Sequence, residues 1–158
     1  MAFPDQPEKY SFRVPARTSM RPAVSAFLSV ICRELESARV FTTQMTHQAV
    51  SAFTEGYNNV VEHAYSESAN KGDISVEIIV NHDFLEIVLS DSGRTFDIEN
   101  VPQPDLDALP EGGMGIFIMK QFMDSVTYSH REGYNQLRMR KAYTKEKVAD
   151  AQNQIGGS

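Results

Sequence analysis

The stretch TEGYNNVVEHAY places a carboxylate, a carboxamide and an imidazole at Glu55, Asn59 and His63, each four residues from the last. On a helix, side chains at that spacing stack along one edge. A proton acceptor and a neutral oxygen ligand for a hard cation would then be presented side by side. A solvated helix face gives the same pattern and is the usual role of a polar row. Composition argues for more. Gly56, Asn58 and Asn59 all oppose helix formation, Gly by about 1 kcal/mol and Asn by up to about 0.7 kcal/mol relative to Ala. A face chosen for stability would carry Lys, Glu, Gln or Ala instead. Breaches of local preference are expected at functional sites, and Gly56 would leave room beside Glu55 for a ligand or a neighbouring backbone.

Two glycine-bearing stretches follow. In DSGRTF, Asp91 closes an apolar run and Gly93 comes two residues later, which would set a carboxylate at a sheet mouth with little bulk beside it. Such a group accepts a hydrogen bond from an exocyclic amine, a charge-assisted contact of about 1.5–3 kcal/mol. Asp-Ser-Gly is equally ordinary turn chemistry. In EGGMGIF, Gly112, Gly113 and Gly115 lie just before or within the first turn of an apolar helix. There, unpaired N–H groups and the positive end of the helix dipole favour a phosphate. A hinge for the preceding segment explains the same glycines and is compatible with that role. The chain has no GxxxxGK phosphate loop and no GxGxxG after a strand. Nor does it carry a protein-kinase HRD motif, since SHREG has Glu132 at the aspartate position.

The elements that must hold these residues can be read from periodicity. KYSFRVPA alternates Tyr10, Phe12 and Val14 with polar neighbours and stops at a proline, as a strand would. Val24, Phe27, Leu28, Ile31 and Leu35 recur at threes and fours, predicting a helix over residues 21–38. A second helix is expected over 43–65, with Ala49, Phe53, Gly56, Tyr57, Val60, Val61 and Ala64 facing inward. Ile74, Val76, Ile78 and Val80, then Leu85, Ile87 and Leu89, predict a β-hairpin turning at Asn81, His82 and Asp83. Residues 91–113 carry three prolines, many acids and no sustained period. Connections of that length are uncommon in a compact domain, where most are about 4–6 residues, and longer ones tend to be lids or binding loops; a lid is expected. MGIFIMKQFMD then reads as a short helix, and SVTYSH with YNQLRMRKA as a hairpin around Glu132 and Gly133. Tight turns between neighbouring strands imply an α+β fold, a two-layer α/β sandwich whose mixed, mostly antiparallel sheet is covered on one face by three helices.

The 158 residues suit a single domain, expected over 9–143 with tails at 1–8 and 144–158. A net charge of −6 supplies no basic field for nucleic acid. Cys32, the only cysteine, excludes an internal disulfide and a cysteine-based zinc cluster. No apolar run approaches the ~20 residues of a membrane span, and the opening has no apolar core of signal-peptide length. A soluble, cytoplasmic protein without membrane contact is expected.

In their order along the chain, TEGYNNVVEHAY, DSGRTFD and GGMGIFIMKQFMD resemble the N-box and the two glycine boxes of the GHKL (histidine-kinase-like, Bergerat-fold) ATPase superfamily. Within it the chain is most similar to the small stand-alone anti-sigma factor serine/threonine kinases of bacterial partner-switching systems, over residues 10–143. The resemblance implies ATP and Mg²⁺, with Glu55 as general base, Asn59 as the Mg²⁺ ligand and Asp91 as the adenine reader. It further implies that Gly93, Gly113 and Gly115 admit the nucleotide, with Gly112 and Met114 in the same nucleotide-facing stretch and His63 at a position commonly histidine. The chain departs from its relatives at Tyr134, near the final strand, where they often carry a threonine supporting the adenine contact.

The function so implied is an ATP-dependent serine kinase that binds a sigma factor and phosphorylates a serine of an anti-anti-sigma protein of the STAS type. A homodimer through Met20, Arg21 and the first helix is implied too, as relatives are often dimers. Two alternatives stand beside it: a non-catalytic regulator that uses ATP only to order its lid, and a related switch kinase acting on another scaffold. A detached histidine-kinase catalytic domain is disfavoured, because a strand and one helix precede the N-box.

Overall fold

The structure, a computed structural model, describes residues 4–64, 72–93 and 113–144. Most of the expected lid, Gly112 and nearly all of the expected C-terminal tail lie outside the described residues. The first alternating run forms strand β1, Glu8–Pro15. Its inward residues Tyr10, Phe12 and Val14 stand opposite Ile78, Val76 and Ile74 of β2, Asp73–Val80. Strand β3, Phe84–Asp91, returns antiparallel to β2 after residues 81–83, closed by the Asn81 N–H donating to the Phe84 carbonyl at 3.0 Å. Strands β4, Ser125–Arg131, and β5, Tyr134–Ala142, form the second hairpin. Its two-residue turn has Glu132 at φ 53° and Gly133 at φ 80°, the left-handed pair that matches the twist of the flanking strands. The sheet runs β1-β2-β3-β5-β4, and every described pairing is antiparallel.

Three helices bury their apolar stripes against one face of this sheet. After a single 3₁₀ turn, α1 spans Arg21–Ser37 and buries Val24, Leu28, Ile31, Cys32 and Leu35. Phe27, expected in that stripe, is 38% exposed and rests edge-on against the rings of Tyr10 and Phe12 at the sheet edge. Helix α1 stops through paired bonds from the Arg39 N–H to the Glu36 carbonyl and from the Val40 N–H to the Leu35 carbonyl. This closure places Arg39 at φ 63°, a position normally given to glycine. Left-handed backbone costs an L-residue roughly 1–2 kcal/mol, part of which glycine returns through its looser unfolded chain. Arg39→Gly is therefore expected to stabilise the fold by about 0.5–1 kcal/mol, seen as a raised denaturant midpoint with an unchanged slope.

Helix α2, Thr43–Asn59, is capped by Thr42, whose hydroxyl accepts from the Met45 N–H at 3.1 Å. The α-helix does not continue to residue 65 as expected: Val60–Ala64 form a π-helical turn, a widening often found at functional sites. Gly56 faces the sheet, and a Cβ there would lie 3.0 Å from Leu137, 3.2 Å from Met139 and 3.3 Å from Met119. The space beside it is filled by core side chains, which corrects the expectation of a gap for a ligand or backbone. Helix α3, Met114–Phe122, packs on α2 and buries Ile116 and Met119. Its far end is held by the inward-facing Lys141 of β5, whose Nζ donates to the Phe122 carbonyl at 2.5 Å and to Gln48 Oε1 of α2 at 2.7 Å. Burial pushes the Lys141 pKa down, against the charge of Asp124. Among the described residues, no helix is long and apolar enough to cross a membrane.

Candidate nucleotide site

Glu55 and Asn59 are one helical turn apart on α2 and half-buried. Both face the first turn of α3, where a Cβ on Gly115 would lie 2.7 Å from Glu55 Oε2 and 3.6 Å from Asn59 Nδ2. Only a residue without a side chain lets the two helices meet there with the carboxylate and carboxamide in place. Gly113 takes the N-cap of α3 at φ 76° and brings no side-chain acceptor. Among the described residues no side chain caps the leading N–H groups of Met114, Gly115 and Ile116, which lie at the positive end of the helix.

Among the described residues, Asn59 Nδ2 is buried with no hydrogen-bond partner. Leaving such a group unmade costs roughly 1–3 kcal/mol, so a ligand that engages the amide recovers it. The two ends of a carboxamide are exchanged by a flip. Asn59 thus suits either donation to a phosphate oxygen or, turned over, an oxygen ligand to Mg²⁺. Among the described residues no three His, Cys, Asp or Glu side chains cluster to hold a metal by themselves. A cation at Asn59 must take its other ligands from phosphate and water, as Mg²⁺ commonly does.

Asp91 ends β3 on the inner face at 3% exposure, and β3 also contacts the π turn that follows α2. Its Oδ1 accepts from the Gly93 N–H at 2.9 Å and from Asn135 Nδ2 at 2.8 Å. Burial pushes the Asp91 pKa up, while the Asn135 and Gly93 donors and then the charge of His130 pull it back. The net direction is upward. The Asp91–Gly93 turn expected from Asp-Ser-Gly is present.

Tyr134 does not support Asp91. It lies at the hairpin end of β5, 60% exposed, and the register pairs Asp91 with Asn135. A one-residue step along a strand reverses the face, so the neighbour missed in the sequence is the fully buried Asn135. Asn58 also proves structural, its Oδ1 accepting from Arg21 Nη1 at 3.1 Å and tying α2 to the start of α1. His63 belongs by its backbone to the π turn, and its side chain and Gly112 lie outside the described residues.

A five-stranded antiparallel sheet under three helices, with a polar helix edge meeting a glycine-opened helix start, defines a nucleotide-binding domain of the histidine-kinase-like class. The chain belongs to that family: residues 16–141 match the histidine kinase-like ATPase domain. Among curated relatives it is similar to the serine-protein kinase RsbW of Staphylococcus aureus, 33% identical over 140 residues covering 80% of this chain and 86% of that one. The RsbW serine-protein kinase of Bacillus licheniformis is 36% identical over 107 residues, covering 63% of this chain and 66% of that protein. Two solved structures share the fold. The SiaB–SiaC complex of Pseudomonas aeruginosa matches at a TM-score of 0.61 and 13% identity, covering 83% of this chain and 88% of that chain. The RsbU and RsbW domains of a Mycobacterium tuberculosis protein match at 0.57 and 16%, covering 87% of this chain and 33% of that chain.

Proposed function

We propose that this chain is an ATP-dependent protein serine kinase that acts as an anti-sigma factor, phosphorylating a serine of an anti-anti-sigma protein. The convergence of Glu55 and Asn59 on Gly115 at the open start of α3 carries the reading. Phosphoryl transfer asks a protein mainly for positioning and charge neutralisation. In this assignment the leading N–H groups of α3 hold the phosphates and Asp91 reads the adenine amine. Glu55 accepts the proton of the incoming serine hydroxyl as its oxygen bonds to the γ-phosphorus and ADP departs. Mg²⁺, held by Asn59, would neutralise charge on the phosphates. RsbW relatives named as serine-protein kinases support the reaction type. We assign residues 9–143 as the working unit, a sigma factor as the second partner, α1 with Met20 and Arg21 as a dimer face, and the cytoplasm as the place of action.

Incubation with a cognate anti-anti-sigma protein and γ-labelled ATP should leave label on a serine. A tight complex that never acquires label would defeat the kinase and leave a non-catalytic regulator.

Asp91→Asn separates binding from stability. The amide oxygen still accepts from Gly93 and Asn135, which turns the new NH₂ toward the purine amine in place of an acceptor. ATP affinity should drop by at least about tenfold. Because the folded-state pKa of Asp91 is raised, its ionised form opposes folding at neutral pH, and this cost fades as pH falls through that pKa. The nucleotide-free variant should therefore melt higher than the wild type at neutral pH, with the difference shrinking in acid.

A further inference from the structure

We infer that Asn135 and His130 are positioning residues that keep Asp91 an acceptor-only reader, so that the pocket takes a 6-amino purine and refuses a 6-oxo purine. This rests on the nucleotide reading of the site above.

Asn135 Nδ2 lies 2.8 Å from Asp91 Oδ1 and 2.9 Å from the Gly93 carbonyl oxygen. Neither a carbonyl nor a carboxylate oxygen can donate, so this end of the amide must be the NH₂. The amide oxygen then faces His130 Nδ1 at 2.8 Å, and that nitrogen must carry the hydrogen. A chain of donors thus runs from β4 through β5 into the end of β3, fixed at each link by what its partner can accept. Asp91 Oδ1 receives two donors, Asn135 Nδ2 and the Gly93 N–H. An acid proton has no place there, and any proton on Asp91 sits on Oδ2.

The charge state of Oδ2 decides which purine fits. An ionised Oδ2 accepts from a 6-amino group and repels the lone pairs of a 6-oxo group. A protonated Oδ2 donates to a 6-oxo oxygen and erases the distinction. Burial drives Asp91 toward the protonated form, and three neighbours oppose it: Asn135 from β5, Gly93 beyond the end of β3, and His130 from β4. Among the described residues His130 is the charged group that acts on Asp91. Deleting the Asn135 donor leaves burial with less opposition.

Calorimetric titration with ATP and with inosine triphosphate, at about pH 6 and about pH 8.5, tests this in the full chain. The wild type should prefer ATP by at least about tenfold at both. In Asn135→Leu the preference should fall, and fall further at the lower pH than at the higher one, because acid supplies the proton that admits the 6-oxo group. Asn135→Thr returns a hydroxyl donor and should restore the preference. His130→Ala, on an exposed position of β4, should weaken it in the same direction by a smaller factor. A folded Asn135→Leu protein whose preference stays at the wild-type value at both pH values would overturn the inference while leaving the nucleotide site standing. If that variant does not fold, an unaltered preference in His130→Ala overturns it. Wild-type protein that binds neither nucleotide would instead sink the reading of the pocket itself.

Discussion

Glu55→Gln should keep ATP binding within a factor of a few and lose serine phosphorylation by about 10²–10⁴-fold, the range a positioned general base contributes. Glutamine matches glutamate in shape, so the close contact with Gly115 at the start of α3 survives. What disappears is the ability to take the hydroxyl proton. Single-turnover transfer with the nucleotide prebound isolates that step from partner docking. Transfer at the wild-type rate would remove Glu55 from the chemistry and return the α2 edge to a packing role.

Gly115→Ala should reduce transfer by up to about 10²-fold without destabilising the protein. Two effects of one methyl group oppose each other. Within a helix, alanine is favoured over glycine by about 1 kcal/mol. The new Cβ, however, would stand 2.7 Å from Glu55 Oε2, closer than such atoms tolerate, while its 3.5 Å distance to Glu55 Cβ is an ordinary contact. The carboxylate is the movable partner, so it swings away and the fold is spared. Melting temperature should hold or rise while activity falls. Coupling to Glu55 is directly measurable: in a Glu55→Gln background the added alanine should cost far less transfer, since the two act on one contact. Equal losses in both backgrounds would mean that Gly115 serves the phosphates alone.

Much of this architecture could be read from spacing. The alternation of Tyr10, Phe12 and Val14, and of Ile74 to Val80, states which strand face is buried. The four-residue step from Glu55 to Asn59 states that both share an edge, because helix geometry is local. Legibility ended where position depends on partners distant in the chain. Gly56 looked like room for a ligand, yet its neighbours Leu137, Met139 and Met119 come from β5 and α3, which no local pattern brings to α2. Asn135 escaped notice for the same reason. Its role follows from a β3–β5 register spanning a helix and another strand, and misplacing that register by one residue selects the exposed Tyr134. Asn58 broke helix preference without touching the site, since its bond to Arg21 reaches across to another helix. The π turn at Val60–Ala64 has no composition that announces it.

Lys141 joins the last strand to the end of α3 opposite its glycines, and Gln48 of α2 completes the knot. The C-terminal end of α3 is thereby moored to both β5 and α2. Unzipping β5 must then release α3 as well, so amide protons of the last strand and of that helix should exchange with solvent as one cooperative unit.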